Sequence, residues 1–406
     1  MYRVHRDFKT YKKPKPGELE KLCRESVLRL EGLNAPIRIE RIEIERLELA
    51  ETEGLLAVRT YSKCGLEGIG ISNKRLNYVY PILQKLIAPY LIGKDARRLE
   101  ELLDEIYVYK NNYKLAGLAY YIALSAVETS LLDMLAKARQ VSLGRLFGPA
   151  RKSHVNLYVA SGNRGNRAEE ELEILAKRVE DTGAKAIKFK IGGRMSSNQD
   201  SLAGRSEALI YRTREYFGQD MIIHADGNGS YDAGTAIRFG RLLEEIQAYF
   251  YEEPCPFDDF EETKKVREAL TIPLAFGEQE TSMRRFRWLI ENHGAGVLQP
   301  DILYNGGMIR TTKAAKMAAA ANMTVTPHVS DGFGFVYILH ASSYMENIGK
   351  YQECKEGFEL ANELLDGILE MKEGRITIPD AAGVGIRGDN PVMRRGKVVV
   401  RVGGAE

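Results

Sequence analysis

The chain carries ionisable residues at regular intervals, each close to the end of a short segment rich in apolar and β-branched residues. AIKFKIG (186–192) and MIIHADGN (221–228) are two such segments, and their pattern is typical of β-strands. The ionisable set, in chain order, is Lys188, Lys190, Asp226, Glu252, Glu278, Asp301, His328 and Glu353. Carboxylates, amines and an imidazole brought to one place could bind a cation and move protons.

A single acidic residue at a strand end is most often a helix N-cap or a surface charge. A series of strands that each end in a charged residue is harder to explain in this way, because like charges in one place repel and lose hydration. A hard divalent cation would offset the repulsion among the carboxylates. Asp226, Glu252 and Glu278 offer the oxygen ligands that Mg²⁺ prefers, and no histidine pair has zinc-ligand spacing. We therefore expect Mg²⁺ as the cofactor.

The amines and the imidazole would then act on a substrate bound at the cation. A carbon acid next to a carboxylate is very weak, so its deprotonation needs a base and a group that holds the negative charge. Lys188 and Lys190 share one strand face, and the charge of Lys188 and the cation would favour the neutral, basic form of Lys190. His328 could be a second acid or base, oriented by Asp301.

Eight strand-like segments set this rhythm from residue 155 onward. They span 156–161, 186–192, 221–228, 248–254, 273–279, 296–302, 323–329 and 350–355. Amphipathic helical segments such as 169–183 separate them, which indicates parallel βα units. Such units fit a closed barrel of about 250 residues, in which catalytic groups lie at the carboxyl ends of the strands. An open doubly wound sheet is the alternative, but no glycine-rich phosphate turn follows its first strand.

The predicted fold is α/β, a modified TIM (β/α) barrel with an α+β N-terminal capping domain. Its parts are an N-terminal arm (1–36) within the capping domain (1–152), the (β/α)7β barrel (153–375), and a segment (376–406) that returns to the capping domain. In the capping domain we expect strands at 37–49 and 54–62 and helices at 78–91 and 119–140.

Composition excludes several classes of protein. A net charge of +2 is too small to predict a nucleic-acid partner, and the basic residues of the N-terminal arm are expected to be solvated. No apolar run reaches the roughly 18 residues that would span a bilayer, and no apolar core follows the first charges as in a secretory signal. The four scattered cysteines fit reduced thiols. We expect a cytoplasmic protein without a membrane partner.

The motifs around the ionisable residues form an ordered set. They are KFK (188–190), HADGN (224–228), YEEP (251–254), FGEQ (276–279), QPD (299–301), NGG (305–307), TPHVS (326–330) and QEC (352–354). This set resembles the enolase superfamily, in particular its mandelate racemase subgroup, over nearly the whole barrel and more loosely over the first domain. The resemblance implies metal ligation by Asp226, Glu252 and Glu278, and it selects Glu252 over Glu253.

The resemblance also implies roles for the other residues. Lys190 would be the base, Lys188 would contact the substrate carboxylate, and Asp301 and His328 would form a dyad on the other side of the substrate. Glu353 would donate a hydrogen bond to the substrate carboxylate or act on it electrostatically. The partner is then a small-molecule carboxylate, and barrels of this superfamily are often homo-oligomers.

Substrate specificity should lie in polar loops around the barrel mouth. The predicted substrate-binding residues are Ser161, Asn163, Asn228 and Arg194. Arg194 and Arg205 belong to a long polar segment (192–205) that either folds over the site or is a solvated loop. In the family the capping domain also selects the substrate, here around 52–54 and 72–77. This chain has GIGIS (68–72) where the family often has an acidic residue after a G-x-G run.

Two opposed acid/base groups permit two outcomes after proton removal. Loss of a β-hydroxyl gives a 2-keto-3-deoxy acid, whereas reprotonation from the far face gives a racemase or epimerase. We favour a dehydratase of an aldonate, uronate or aldarate, because sugar-acid dehydration is common in the resembled subgroup and the candidate substrate loops are polar. Cycloisomerases of the superfamily have a lysine where this chain has Asp301. A barrel that only binds a ligand is a further alternative.

Overall fold

The computed structural model describes residues 7–48, 54–330, 333–355 and 358–404. The strands are β1 (Ile39–Arg46), β2 (Leu56–Ser62), β3 (Glu67–Ile71), β4 (His154–Ala160), β5 (Ala186–Lys190), β6 (Ile222–Asp226), β7 (Phe250–Glu252), β8 (Leu274–Phe276), β9 (Val297–Leu298), β10 (Thr324–Val325), β11 (Tyr351–Cys354), β12 (Met371–Lys372), β13 (Arg375–Thr377) and β14 (Lys397–Gly403). The α-helices are α1 (Glu18–Arg24), α2 (Leu76–Ile82), α3 (Ala88–Leu91), α4 (Leu99–Val108), α5 (Leu118–Ala138), α6 (Ala168–Thr182), α7 (Arg205–Phe217), α8 (Ala233–Glu245), α9 (Phe260–Ala269), α10 (Met283–Glu291), α11 (Met308–Ala320), α12 (Gly334–Tyr344), α13 (Phe358–Leu364) and α14 (Pro391–Arg394).

The N-terminal part contains an antiparallel sheet in the order β14-β1-β2-β3. Charged residues on β1 lie buried because arginines of neighbouring strands pair with them. Glu43 accepts from Arg401 of β14 at 2.7 Å, and Glu45 accepts from Arg59 of β2 at 2.9 Å. The last strand of the chain therefore completes this sheet, while the bounds of the capping domain stay a prediction.

Helix α5 packs against β3, and this contact explains the G-x-G run in GIGIS. A Cβ atom at Gly68 would lie 2.0 Å from the Ser130 carbonyl oxygen, and one at Gly70 would lie 2.5 Å from Thr129 Oγ1. In the part of the chain that the structure describes, α5 is the one helix long and apolar enough to cross a membrane. However, 89% of its apolar window is buried inside the protein, as expected for a helix that is apolar on all sides.

Strands β4 to β11 form the parallel barrel, and each overlaps one of the eight predicted segments. A helix, α6 to α12 in turn, follows each of the first seven strands. Strand β11 pairs with β4, and a parallel bridge between Val325 and Ile348 joins β10 to the residues before β11, which closes the barrel. The predicted modified TIM barrel with a capping domain is confirmed.

Strand periodicity decides which side chains enter the barrel. On β5, Ile187 and Phe189 are fully buried in an apolar cluster with helix residues such as Leu209. Because neighbouring side chains on a strand point to opposite faces, Lys188 and Lys190 are directed into the barrel.

An antiparallel hairpin extends the barrel sheet beyond β4, which the sequence did not predict. Strand β13 pairs with the first residues of β4, where Ile376 lies opposite Val155, and β12 pairs with β13. The predicted end of the barrel at residue 375 falls at the first residue of β13.

The described part of the N-terminal arm packs on the barrel. The Tyr11 ring stacks on His293 at 4.0 Å, and its hydroxyl donates to the Ile290 carbonyl at 2.9 Å. The lysines of the same stretch, such as Lys9 and Lys13, are exposed. The described part of the arm is therefore solvated on its charged side, whereas Tyr11 and Phe8 pack on the barrel, the latter 4.7 Å from the Tyr249 ring. Residues 1–6 of the basic cluster lie outside the described residues.

Candidate active site

The structure brings the eight predicted ionisable residues together at the carboxyl-terminal end of the barrel. Each has at most 8% of its surface exposed. They come from seven successive strands or the residues directly after them, β5 to β11. Parallel strands end at the same edge of a sheet, which is why residues up to 165 positions apart meet here.

Asp226, Glu252 and Glu278 form a compact carboxylate triad. One oxygen from each lies within 4.8 Å of the others. Glu278 Oε2 is buried and makes no hydrogen bond with any described residue, whereas Glu252 Oε2 accepts from Gln299 Nε2 at 3.0 Å. Burial raises the pKa of Glu252 to about 7, although Lys188 opposes the shift. The donor set is all oxygen, and a divalent cation would offset the repulsion among these carboxylates.

Lys188 lies between two carboxylates and is fully buried. Its Nζ donates to both oxygens of Glu252 at 2.9 and 2.8 Å, and it lies 2.8 Å from Glu353 Oε1. Burial disfavours the charged form, but Glu252 and Glu353 outweigh it and hold the pKa of Lys188 well above its usual value. Burial would also raise the pKa of Glu353, but Lys188 and Lys355 hold it well below its usual value. This direction favours the ionised form of Glu353, which accepts hydrogen bonds but cannot donate one.

Lys190 lies on the side of the triad formed by Asp226. Its Nζ donates to Asp226 Oδ2 and lies 3.3 Å from Asn228 Oδ1. Burial alone would raise the pKa of Asp226, but Lys190 and Lys188 outweigh it and keep this pKa below its usual value. Lys188 Nζ also lies 3.8 Å from Asp226 Oδ2, so both lysines of β5 approach this carboxylate from the shared strand face that their spacing predicted.

His328 lies on the other side of the triad. Its Nδ1 lies 2.8 Å from Asp301 Oδ2, and its Nε2 lies 3.3 Å from Glu278 Oε2. The backbone supports this pair, because Asp301 and His328 face each other in a parallel bridge between the ends of β9 and β10. The imidazole thus presents Nε2 to the carboxylate triad.

Lys355 is a further site residue that the sequence analysis missed. Its Nζ lies 2.8 Å from His328 Nε2, donates to the Val329 carbonyl at 2.7 Å and lies 3.4 Å from Glu353 Oε2. A signal was present in the sequence, because Glu353 and Lys355 are two residues apart and therefore share a face of the strand segment.

The predicted substrate-binding residues differ in position. Ser161 is buried, and its hydroxyl has no hydrogen-bond partner in the part of the chain that the structure describes. Asn163 is exposed and bonds within its own loop, where its Oδ1 accepts from the Gly165 N–H at 2.7 Å. Arg194 reaches the site and donates to Asn228 Oδ1 at 3.2 Å.

Arg164, next to Asn163, is the second residue that was missed. Its Nη2 donates to Asn228 Oδ1 at 2.7 Å, and its Nε donates to the Gly192 carbonyl at 3.1 Å. It lies in a loop, where no strand or helix period indicates the direction of a side chain. Only the neighbourhood of Ser161 and Asn163 pointed to this part of the chain.

The capping domain contributes a loop to the barrel mouth. Asn73 Nδ2 donates to Ser330 Oγ at 3.3 Å, and the Arg75 guanidinium lies 5.6 Å from the centre of the Tyr304 ring. Both contacts lie near the Asp301–His328 side. The other predicted capping loop is 52–54, and its residues 52 and 53 lie outside the described residues.

Two family models cover most of the chain. The model of the mandelate racemase / muconate lactonizing enzyme N-terminal domain matches residues 44–148, and that of the enolase C-terminal domain-like family matches residues 171–392. The chain belongs to the enolase superfamily, in its mandelate racemase subgroup. The resemblance inferred from the motifs is confirmed.

Named relatives of this superfamily member include sugar-acid dehydratases. The chain is 28% identical to the L-talarate/galactarate dehydratase of Salmonella typhimurium over 87% of this chain and 85% of that enzyme. It is 26% identical to the arabinonate dehydratase of Saccharolobus solfataricus over 75% and 79% of the two chains. The crystal structure of L-talarate dehydratase from Polaromonas sp. JS666, complexed with Mg and L-glucarate, matches with a TM-score of 0.77, 25% identity and coverage of 91% and 99%.

Proposed function

We propose that this superfamily member is a Mg²⁺-dependent dehydratase of a sugar acid, an aldonate, uronate or aldarate. The proposal is supported by the positions of the two candidate proton-transfer groups, Lys190 and His328, which lie beside different members of the carboxylate triad. Lys190 Nζ contacts Asp226, and His328 Nε2 lies 3.3 Å from Glu278. The names of the relatives, which act on arabinonate and on talarate or galactarate, support the same reaction class.

Asp226, Glu252 and Glu278 would hold the Mg²⁺. Their clustered oxygens fit a hard cation, and so does the buried Glu278 Oε2, which lies 3.3 Å from His328 Nε2 but accepts no hydrogen bond from the described residues. When bound, Mg²⁺ would supply positive charge beside the substrate carboxylate, where negative charge develops during proton removal. Lys188 would contribute a second positive charge there, and its bonds to Glu252 and Glu353 fix its position.

Lys190 would remove the proton from the carbon next to the substrate carboxylate. The electron pair of that C–H bond moves into the carboxylate and gives an enediolate. His328 would then donate a proton to the β-hydroxyl, the C–O bond breaks, and water leaves. Tautomerisation of the enol gives a 2-keto-3-deoxy acid. Asp301 would hold the His328 ring, and Lys355 Nζ lies 2.8 Å from Nε2, within reach for proton transfer to that atom.

The same two-sided arrangement also supports a second candidate, a racemase or epimerase. In that reaction the group opposite the base returns a proton to the α carbon, and no C–O bond breaks. The dehydratase is favoured because the polar and charged groups around Asn228 can contact a polyhydroxy chain.

The test is to incubate the purified protein and Mg²⁺ with a panel of aldonic, uronic and aldaric acids in D₂O. We expect 2-keto acid from at least one acid, and its loss with EDTA. Deuterium at the α carbon without keto product from any acid would instead establish the epimerase. If no acid yields keto product or exchanges its α proton, the proposed function is wrong and a ligand-binding barrel remains.

Assembly and compartment remain predictions. We propose a homo-oligomer in the cytoplasm. The four cysteines are free, and Cys255 and Cys354 are buried, which fits reduced thiols.

A further inference from the structure

Two guanidinium groups and the Lys190 amine, which is paired with Asp226, converge on one neutral oxygen beside the candidate active site. Asn228 Oδ1 lies 2.7 Å from Arg164 Nη2, 3.2 Å from Arg194 Nη2 and 3.3 Å from Lys190 Nζ. Among residues that the structure describes, neither arginine forms an ion pair with a carboxylate. An amide oxygen carries only a partial negative charge, so it does not neutralise the cations that surround it.

This arrangement is electrostatically unfavourable for Arg164. Burial lowers the pKa of Arg164, and the charge of Arg194 adds to the shift, whereas Asp226 opposes it. A cation bound at the triad would be ligated by Asp226, and its positive charge would weaken the stabilising effect of Asp226 on the charge of Arg164. An anionic group placed between the two guanidinium groups would relieve the repulsion and use their remaining N–H donors.

Arg205 shows what a structural arginine looks like in the same region. It is buried, and its three nitrogens donate to the carbonyls of Asn166, Lys190 and Asn163 at 2.6, 2.9 and 3.1 Å. Arg205 therefore ties together the loops after β4 and β5. Arg164 and Arg194 have no comparable set of carbonyl partners, and both turn toward Asn228.

The loop that carries Arg194 is strained and fixed in place. Four of its non-glycine residues have left-handed backbone angles, with φ of 60° at Arg194, 49° at Met195, 50° at Ser197 and 71° at Asn198. The loop is held on the segment that follows β6, because the Arg194 N–H donates to Ser230 Oγ at 3.0 Å and the Met195 N–H to the Asn228 carbonyl at 3.0 Å. Such strain persists where surrounding contacts impose it, often at ligand sites.

We propose that Arg164 and Arg194 form a second carboxylate subsite, so that the acid handled by this enzyme is a diacid with a carboxylate at each end. The inference rests on the proposed function, which places the reacting carboxylate beside the triad and Lys188. Lys190 faces the α carbon, and Asn228 lies next to Lys190, so the carbon chain leads past Asn228 to the two arginines. Guanidinium groups bind carboxylates through two parallel hydrogen bonds, a geometry that a hydroxyl cannot match.

The test compares acids that differ only at the far carbon. Galactarate with galactonate and glucarate with gluconate are such pairs, with mannose- and talose-derived pairs covering other stereochemistries. We expect a diacid to have the higher kcat/KM. Arg164→Gln and Arg194→Gln should each lower the diacid-to-monoacid ratio of kcat/KM by about 10- to 100-fold, since loss of a charge-assisted contact has this size. Arg212→Gln is the matched control, because Arg212 is half-exposed on α7 and pairs with Glu169.

A binding measurement separates this inference from the proposed function. The same pairs are titrated calorimetrically into Lys190→Ala with Mg²⁺, alone and combined with Arg194→Gln. Tighter diacid binding that depends on Arg194, without dehydration of any acid by the wild type, would support the subsite and contradict the dehydratase. Two results would overturn the subsite while the dehydratase proposal stands. One is equal or better turnover of the monoacids, and the other is an unchanged diacid-to-monoacid ratio of kcat/KM in both arginine variants. A preference for monoacids with a terminal phosphate ester would also overturn it.

Discussion

His328 Nδ1 lies 2.8 Å from Asp301 Oδ2, while the other oxygen of the same carboxylate is held by the backbone. Asp301 Oδ1 accepts the N–H groups of Leu303 at 2.8 Å and Tyr304 at 3.0 Å. The carboxylate therefore cannot turn away from the imidazole without losing two hydrogen bonds. It holds the proton of His328 on Nδ1, so that Nε2 is the atom available for proton transfer.

Asp301→Asn should inactivate the enzyme without unfolding it. The backbone N–H groups of Leu303 and Tyr304 still require an acceptor, so the amide oxygen will face them and the amide nitrogen will face His328. The imidazole must then accept at Nδ1 and carry its only proton on Nε2, so the ring loses the carboxylate that stabilises the imidazolium needed to protonate the β-hydroxyl. We expect kcat to fall about 10²- to 10⁴-fold with little change in KM or thermal midpoint. A kcat close to that of the wild type would show that this pair does not set the tautomer.

Exchange of the α proton should separate the roles of Lys190 and His328. If Lys190 is the base, His328→Asn abolishes dehydration but still exchanges the α proton with D₂O, because the first step needs only Lys190. Lys190→Ala should abolish both reactions. NMR of recovered substrate measures exchange, and keto-acid formation measures dehydration. Exchange at the native rate in Lys190→Ala would assign the base to His328.

The carboxylate triad should make stability depend on Mg²⁺. Removing the cation leaves mutually repelling buried carboxylates, so EDTA should lower the thermal midpoint, and Mg²⁺ at about 100 times its Kd should stabilise by about 2.7 kcal/mol. Glu278→Gln should weaken this response strongly. Glu280→Gln is the matched control, because Glu280 is also buried but bonds to the Ser282 N–H at 2.5 Å. The triad assignment fails if the two variants respond to Mg²⁺ alike.

The barrel was predictable because its strands and helices alternate with a clear period. Even the strands β9 and β10, two residues each, fell inside the predicted segments 296–302 and 323–329. Their length was overestimated, because the predicted segments run on through Asp301 and His328, which pair only in a single isolated bridge beyond the strands. The carboxyl ends of parallel strands then predicted which charged residues meet.

The missed residues share a different property, since loops or strand ends place them. Arg164 reaches Asn228 from a loop after β4, and Lys355 reaches His328 from just beyond β11. No period indicates where the Arg164 side chain points, and the two-residue spacing from Glu353 was the signal available for Lys355. The β12–β13 hairpin was missed because two- and three-residue strands leave almost no sequence pattern. By contrast, sterics explain the second glycine of the NGG motif. A Cβ atom at Gly307, where φ is 113°, would lie 2.3 Å from the Glu128 carboxyl group.

Glu128 should make the stability of the fold depend on pH. It is fully buried on α5 and accepts the N–H groups of Ile309 at 2.9 Å and Met308 at 3.3 Å, at the start of α11. Burial raises its pKa to about 8, although these backbone hydrogen bonds oppose the shift. The folded state therefore holds a proton between about pH 4.5 and pH 8 that the unfolded state releases. Its contribution to stability is complete below about pH 4.5 and is lost as the pH rises to 8.

Glu128→Gln keeps a carbonyl oxygen for the two N–H groups but cannot ionise. Compared with the wild type, this variant should gain stability as the pH rises from 5 to 8, by about 1.4 kcal/mol per unit at most. Urea unfolding midpoints at several pH values measure the difference, with the exposed Glu101→Gln as the control, because Glu101 has 65% of its side chain accessible. If the midpoints of Glu128→Gln and the wild type run parallel from pH 5 to pH 8, Glu128 ionises equally in both states and its burial has no influence on the pH dependence.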